Sequence, residues 1–262
     1  MQKEKQPAGS LLKAEAVFEK SFRTKVDAMR ILVIDTSGPV CGTAVMDEGR
    51  VYSEFTVQNR NTHSANLMPM IDRVLTESEI DLGKVDRIAC VTGPGSFTGV
   101  RIGVSTVKGI AHGRNIECVA VDALEAMAAG AGHFDGVICP IQDARAGQVY
   151  GAAFAPGCPP ERLMEDQPMA LDSYLETIRT FGKRFLFLGD GMPVHKEKIR
   201  AILGDAAVFA PPQLAFLRPA SVAVLGAMME HTLNYKELMP MYLRAPSAER
   251  NRKLVEAAQN GR

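Results

Sequence analysis

Gly93-Pro94-Gly95-Ser96-Phe97-Thr98-Gly99 is the stretch of this chain best suited to chemistry, because an apolar run leads into it and a helically spaced run follows. Glycines there permit positive φ and close backbone approach, and Ser96 or Thr98 can cap the helix, so that exposed amides could receive an anion. Gly93, Gly95, Ser96 and Thr98 are therefore candidate phosphate contacts. The segment lacks the Gly-Lys-Ser/Thr ending of a P-loop, and Thr98 stands where the sixth position of GxGxxG needs glycine. A tight structural turn is the other reading, and the residues alone leave both open.

Asp35, with Thr36 and Ser37 beside it at the end of an apolar run, offers a carboxylate and two hydroxyls, the hard donors a hydrated magnesium ion takes. Such a cluster also satisfies turn amides without any metal. The histidines at 63, 112, 133, 195 and 231 show neither HxxxH nor HExxH spacing, and no His-Cys cluster occurs, so no metal site is expected. His63, just ahead of a helix, reads as a surface or capping residue. No catalytic triad is recognisable.

The elements that position these groups follow from periodicity. Ile31-Leu32-Val33-Ile34 predicts a buried strand, and 41–46 and 51–57 predict two more, joined across Asp47-Glu48-Gly49-Arg50 as a hairpin. From Ser64 to Ser78, Leu67, Met70, Ile71, Val74 and Leu75 form one helical stripe, with Met68 off its centre. A strand over 86–91 precedes the glycine-rich turn; a helix over 100–113 and a strand over 119–121 follow it. The second half predicts a strand at 136–141, a partner at 148–154 across Asp143-Ala144-Arg145-Ala146-Gly147, a helix near 173–180, a strand at 184–188 and a helix from Ala220 to about Leu233. This order implies two stacked α/β lobes. No short tandem repeat is evident.

Bulk properties narrow the classes. A chain of 262 residues that is 46% hydrophobic and 23% charged can bury one large core or two ordinary ones. Lysine plus arginine balance aspartate plus glutamate at 30 each, which gives no basis for free-standing nucleic-acid binding. Five cysteines without a CxxC pair fit reduced, buried thiols of a cytoplasmic protein. No apolar run approaches the roughly 18 residues of a membrane helix. Residues 1–28 read as an extension, either a weak amphipathic helix over 11–26 or a disordered segment, with Met29 the preferred natural start. The residues at 244, 250, 252 and 253 make a modest basic segment near the other end.

Ile34-Asp35-Thr36-Ser37, His63-Ser64, Leu67-Met68-Pro69-Met70-Ile71 and above all Gly93 through Gly103 resemble the TsaB (YeaZ) family. Lys108-Gly109, Leu124-Glu125-Ala126, Asp143-Ala144-Arg145, Gln148-Val149-Tyr150, Gly189-Asp190-Gly191 and Tyr242-Leu243-Arg244 extend the resemblance over roughly residues 30 to 244. It implies an α/β, two-lobed actin-like and Hsp70-like ATPase-domain fold, with a first lobe over 29–130, a second over 131–244 whose helix 220–233 can pack back on the first, and a flexible tail over 245–262. It also implies a non-catalytic scaffold that dimerises with TsaD for threonylcarbamoyl transfer to adenosine 37 of tRNA. ATP or ADP and magnesium then belong to the complex with TsaD and the small ATPase TsaE, tRNA is met through that complex, and a homodimer can form alone. The resemblance places the partner interface on Leu67, Met68, Met70, Ile71, Val74, Gly99, Val100, Gly103, Val104 and Val107, and makes the Asp35-Thr36-Ser37 and Gly93–Thr98 turns vestigial phosphate loops. In the paralogue TsaD a metal is held partly by an HxxxH pair; Asp122-Ala123-Leu124-Glu125-Ala126 stands there in this chain, without either histidine. A small-molecule kinase of the same superfamily and a peptidase are the rival readings, in that order.

Overall fold

The computed structural model describes residues 29–244; the readings made for 11–26, 250, 252 and 253 lie outside them. Two five-stranded sheets carry the fold. The first has β1 (Ile31–Asp35), β2 (Cys41–Asp47), β3 (Arg50–Val57), β4 (Arg87–Gly93) and β5 (Glu117–Asp122), in the order β3-β2-β1-β4-β5. The second has β6 (Val137–Asp143), β7 (Gln148–Ala155), β8 (Glu161–Ala170), β9 (Phe185–Leu188) and β10 (Ala207–Phe209), in the order β10-β9-β6-β7-β8. Read from the far end, the second order repeats the first. In each, the first strand pairs antiparallel with its hairpin partner and parallel with the fourth. This duplicated topology is the two-lobed, actin-like arrangement.

Alternation along the central strands builds the layers. Leu32 and Ile34 face α1 (His63–Glu77) and α2 (Phe97–Arg114), while Ile31 and Val33 face the opposite core. That second core also takes Ile138, Leu186 and Leu188 from the other sheet, with α3 (Ala123–Gly130) and α6 (Pro219–Met228) between them. Outside the second sheet, Val137, Cys139, Phe185 and Phe187 pack on α4 (Leu171–Ile178) and α5 (Gly191–Leu203). The molecule is therefore five layers, helices alternating with sheets. Among the described residues no helix is long and apolar enough to cross a membrane.

Local chemistry sets the ends. Glu48 and Gly49 take φ of 47° and 72°, the two positive values that a two-residue hairpin turn requires. The last helix stops at Met228, short of the expected Leu233. Buried Arg87 takes the carbonyls of Gly226 and Met229 at 2.8 and 2.9 Å, so the chain leaves extended and Leu233 exchanges two backbone bonds with Cys118 on the β5 edge. Thus α6 packs on the first sheet, and the strap behind it runs along α2.

Across the lobes, Arg162 of β8 lies over the Phe154 ring at 4.7 Å, pairs with Asp166, and reaches Asp122 and Glu125 at 3.5 Å each. Burial, with Asp166 adding to it, pushes the Asp122 carboxyl well up, so the guanidinium offsets crowded acids. Replacing Arg162 by alanine is expected to cost about 2–3 kcal/mol at neutral pH by leaving those acids without their cation. Urea unfolding measures it, and a midpoint equal to that of the parent chain refutes the pinning role.

Candidate functional site

Four turns leave the carboxyl ends of the central parallel strands β1, β4, β6 and β9, and they face one another across the gap between the lobes. That is where open α/β sheets place ligands. The gap is a cleft of about 720 Å³. Ser37, Gly38, His63 and the Gly95–Thr98 turn line the first lobe's side; Gln142 to Arg145, Tyr150 and Asp190 line the second; Met241 to Arg244 of the strap close one edge.

On the first lobe the turns satisfy each other. Asp35 Oδ1 accepts from the Ser37 amide at 2.8 Å and from its hydroxyl at 2.7 Å. Thr36 Oγ1 donates to the Gly99 carbonyl at 2.6 Å, and the Ser96 amide donates to the Ser37 carbonyl at 2.7 Å. Ser96, not Thr98, caps α2, its Oγ accepting from the Gly99 amide at 3.2 Å. The glycines explain the closeness: a Cβ at Gly95 would meet the Ser37 carbonyl oxygen at 2.3 Å, and one at Gly99 the Thr36 carbonyl oxygen at 2.1 Å. The side of this turn that faces β1 is packed against the chain's own carbonyls, and its other side, with Ser96 and Thr98, lines the cleft. Close packing of the chain on itself accounts for Gly95 and Gly99, and helix capping for Ser96.

His63 Nε2 lies 2.9 Å from the Gly38 carbonyl and so ties the start of α1 to the turn after β1; the helix start itself has no side-chain cap. Among the described residues no group of three His, Cys, Asp or Glu side chains is placed to hold a metal ion. The second lobe repeats the glycine device: a Cβ at Gly189, whose φ is 95°, would meet the Ile141 carbonyl oxygen at 2.1 Å. Its acids are less settled. Burial pushes the Asp190 carboxyl from 3.8 up to about 6, Asp143 adding to the rise and the amides of Asp143, Asp190 and Gly191 pulling it back.

A carboxyl raised on folding favours the folded state at low pH. Its contribution is lost as pH climbs from about 4 to 6, and the full cost of the buried charge stands above that. Asp190→Asn should therefore raise the melting temperature at pH 7 by roughly 5 °C and by little at pH 4. Melting curves at the two pH values decide, and equal shifts would contradict the assignment.

Comparison with known proteins fits this architecture. Residues 56–251 match the family described as "TsaD: tRNA N6-adenosine threonylcarbamoyltransferase". The Bacillus subtilis tRNA threonylcarbamoyladenosine biosynthesis protein TsaB is 36% identical over 222 residues, 84% of this chain and 96% of that protein. The chain belongs to the TsaB family. The Escherichia coli TsaB is 38% identical over 128 residues, 48% of this chain and 55% of that one. Among solved structures, YeaZ from Pseudomonas aeruginosa superimposes with a TM-score of 0.68 at 23% identity, over 82% of this chain and all of that one, a likeness of fold.

Against the TsaB resemblance, the burial of the proposed interface residues is a correction. Leu67, Met70, Ile71 and Val74 of α1, and Val100, Val104 and Val107 of α2, lie buried under this chain's own sheet. Gly99 and Gly103 are pressed against Thr36. Only Met68, 54% exposed, faces outwards. One helix stripe cannot serve two surfaces. The outward rows are instead Ala65, Met68, Pro69 and Asp72 on α1, and Arg101, Ser105 and Gly109 on α2. Gln142, Tyr150, Asp190 and Tyr242 were not singled out as site residues. Their signal was the recurrence of a polar turn after an apolar strand, at Asp35 and again at Asp143, and of a glycine pair before a helix, at Gly93-Pro94-Gly95 and again at Gly189-Asp190-Gly191.

Proposed function

We propose that this chain is the non-catalytic scaffold subunit that pairs with TsaD to support threonylcarbamoyl transfer to adenosine 37 of tRNA. The observation that supports the reading is the glycine turn pressed on the carbonyls of Thr36 and Ser37: the two-lobed frame is kept, and close packing of the chain on itself accounts for the glycines without a phosphate. A second feature agrees with it. Where the paralogue TsaD is expected to bind metal through HxxxH, Asp122 and Glu125 of this chain meet the guanidinium of Arg162. Nucleotide and magnesium then belong to TsaD and TsaE, tRNA reaches the chain through the complex, and the setting is the cytoplasm. In isolation the same outward face of α1 and α2 pairs two copies.

Reconstitution with the cognate TsaD, TsaE, threonylcarbamoyl adenylate and tRNA, with and without this chain, tests the proposal. Modified adenosine should vanish on omission, and this chain alone should make none. Undiminished modification without it would return the kinase reading to first place.

A further inference from the structure

Charge is even over the whole chain, yet α2 is one-signed: its 18 residues include Arg101, Lys108 and Arg114 and no acid. Two of these cations meet the strap. Arg101 is exposed and touches Tyr242, and Lys108 Nζ lies 3.4 Å from the Lys236 carbonyl and 3.6 Å from Met239 Sδ. Among the described residues neither is paired with a carboxylate. Glu237 of the strap is engaged by its own turn, Oε2 accepting the Asn234 amide at 2.9 Å. A surface of this sign is complementary to an acidic one.

Arg101 is also held in place. It stands one helical turn after Phe97, and its guanidinium carbon lies 3.9 Å from the Phe97 ring centre and 5.7 Å from that of Tyr242. Its Nε donates to the Tyr242 hydroxyl at 2.7 Å, while the two rings stack at 4.5 Å. The strap is fixed where it delivers Tyr242: the Met241 amide donates to the Thr92 carbonyl at 2.7 Å, and a Cβ at Gly93 would meet the Met241 carbonyl oxygen at 2.5 Å. Fixing an exposed arginine forfeits rotamer entropy that an idle surface group would keep. With Nε engaged, both terminal nitrogens remain free to donate in one plane. Tyr242 is 41% and Met239 62% exposed on the same strap. An oriented arginine with exposed aromatic and methionine neighbours has the composition of an interface hot spot.

We infer that Arg101 anchors the partner interface by taking the carboxylate of an aspartate or glutamate of TsaD through both terminal nitrogens, while Met239 and Tyr242 of the strap exclude water around the pair. The inference rests on the scaffold reading, which supplies the partner. It goes beyond that reading by bringing the strap into the interface and by fixing the sign of charge the partner presents. Arg101 heads the outward row that continues through Ser105 and Gly109, so the ion pair sits at one end of the helix contact and sets its register. A nucleic-acid backbone uses the charge but gains nothing from an exposed methionine, which favours a protein carboxylate.

Calorimetric titration of the full chain with cognate TsaD, free of tRNA, at low and high salt tests it. Arg101→Ala should weaken assembly about thirtyfold and flatten its salt dependence. Arg101→Lys, which keeps the charge but not the planar fork, should still weaken it about tenfold. Tyr242→Phe, which keeps the ring but releases the guanidinium, should weaken it about threefold. Each variant should melt within roughly 2 °C of the parent, since the altered atoms are exposed. Affinity unchanged in Arg101→Ala, or fully kept in Arg101→Lys, overturns the inference and leaves the scaffold reading standing; failure of the unaltered chain to bind TsaD overturns both. An effect confined to self-association would give Arg101 to a second copy, and one confined to tRNA binding by the assembled complex would give it to phosphate; either result overturns the TsaD carboxylate.

Discussion

Gly99→Ala is expected to destabilise the chain by about 3 kcal/mol or more, although the same substitution in an exposed helix would stabilise it by up to about 1 kcal/mol. The new methyl would stand 2.1 Å from the Thr36 carbonyl oxygen, an overlap that only backbone movement relieves. Neither side can give way alone. The Thr36 hydroxyl is bonded to the Gly99 carbonyl at 2.6 Å, and the Ser96 amide to the Ser37 carbonyl at 2.7 Å, so separating α2 from the β1 turn lengthens both. Two hydrogen bonds at about 1 kcal/mol each, added to the strain, outweigh the gain in helix propensity. Thermal denaturation followed by circular dichroism should show a fall of roughly 10 °C. A melting point within a degree or two of the parent would mean that the two turns are not tightly joined.

The close fit at Gly99 was not legible in the sequence, and the reason is physical. Glycine is needed equally by a turn that lets a phosphate approach and by one that lets another backbone approach, so the motif marks closeness without naming the neighbour. Patterns with a period were legible: the stripe of Leu67, Met70, Ile71 and Val74 placed α1, and the Asp47–Arg50 turn placed the first hairpin. Segments without one were missed. The α3 helix, Ala123–Gly130, is apolar almost all round because it lies between two sheets. The β8 strand, Glu161–Ala170, is a polar edge strand carrying Pro168, tolerated where few ladder bonds are needed. The α5 helix begins at Gly191 with Pro193 in its first turn, which reads as the continuation of a loop. The resemblance supplied the two-lobed frame but placed the interface on inward residues, since a motif gives positions and burial gives direction.

That direction makes the second large effect specific. On α2 the outward row runs through Ser105, Gly109 and Gly113, one turn apart, and a Cβ at Gly109 or Gly113 would meet nothing within 4 Å. Two exposed glycines inside an 18-residue helix each cost the isolated chain about 1 kcal/mol relative to alanine, so folding alone does not favour them. They do let a facing helix approach closely, which the scaffold reading requires of this surface. Gly109→Arg should therefore leave the fold intact, with an unchanged or slightly higher melting point, and reduce assembly with TsaD at least tenfold by holding the helices apart. Co-elution of the two proteins on size exclusion, together with tRNA modification in the reconstituted system, reads both consequences. Gly109→Ala should stabilise the isolated chain and weaken the complex less, because a methyl group separates the helices less than a guanidinium arm. Normal assembly of the arginine variant would move the interface off α2 and leave the two exposed glycines without an account.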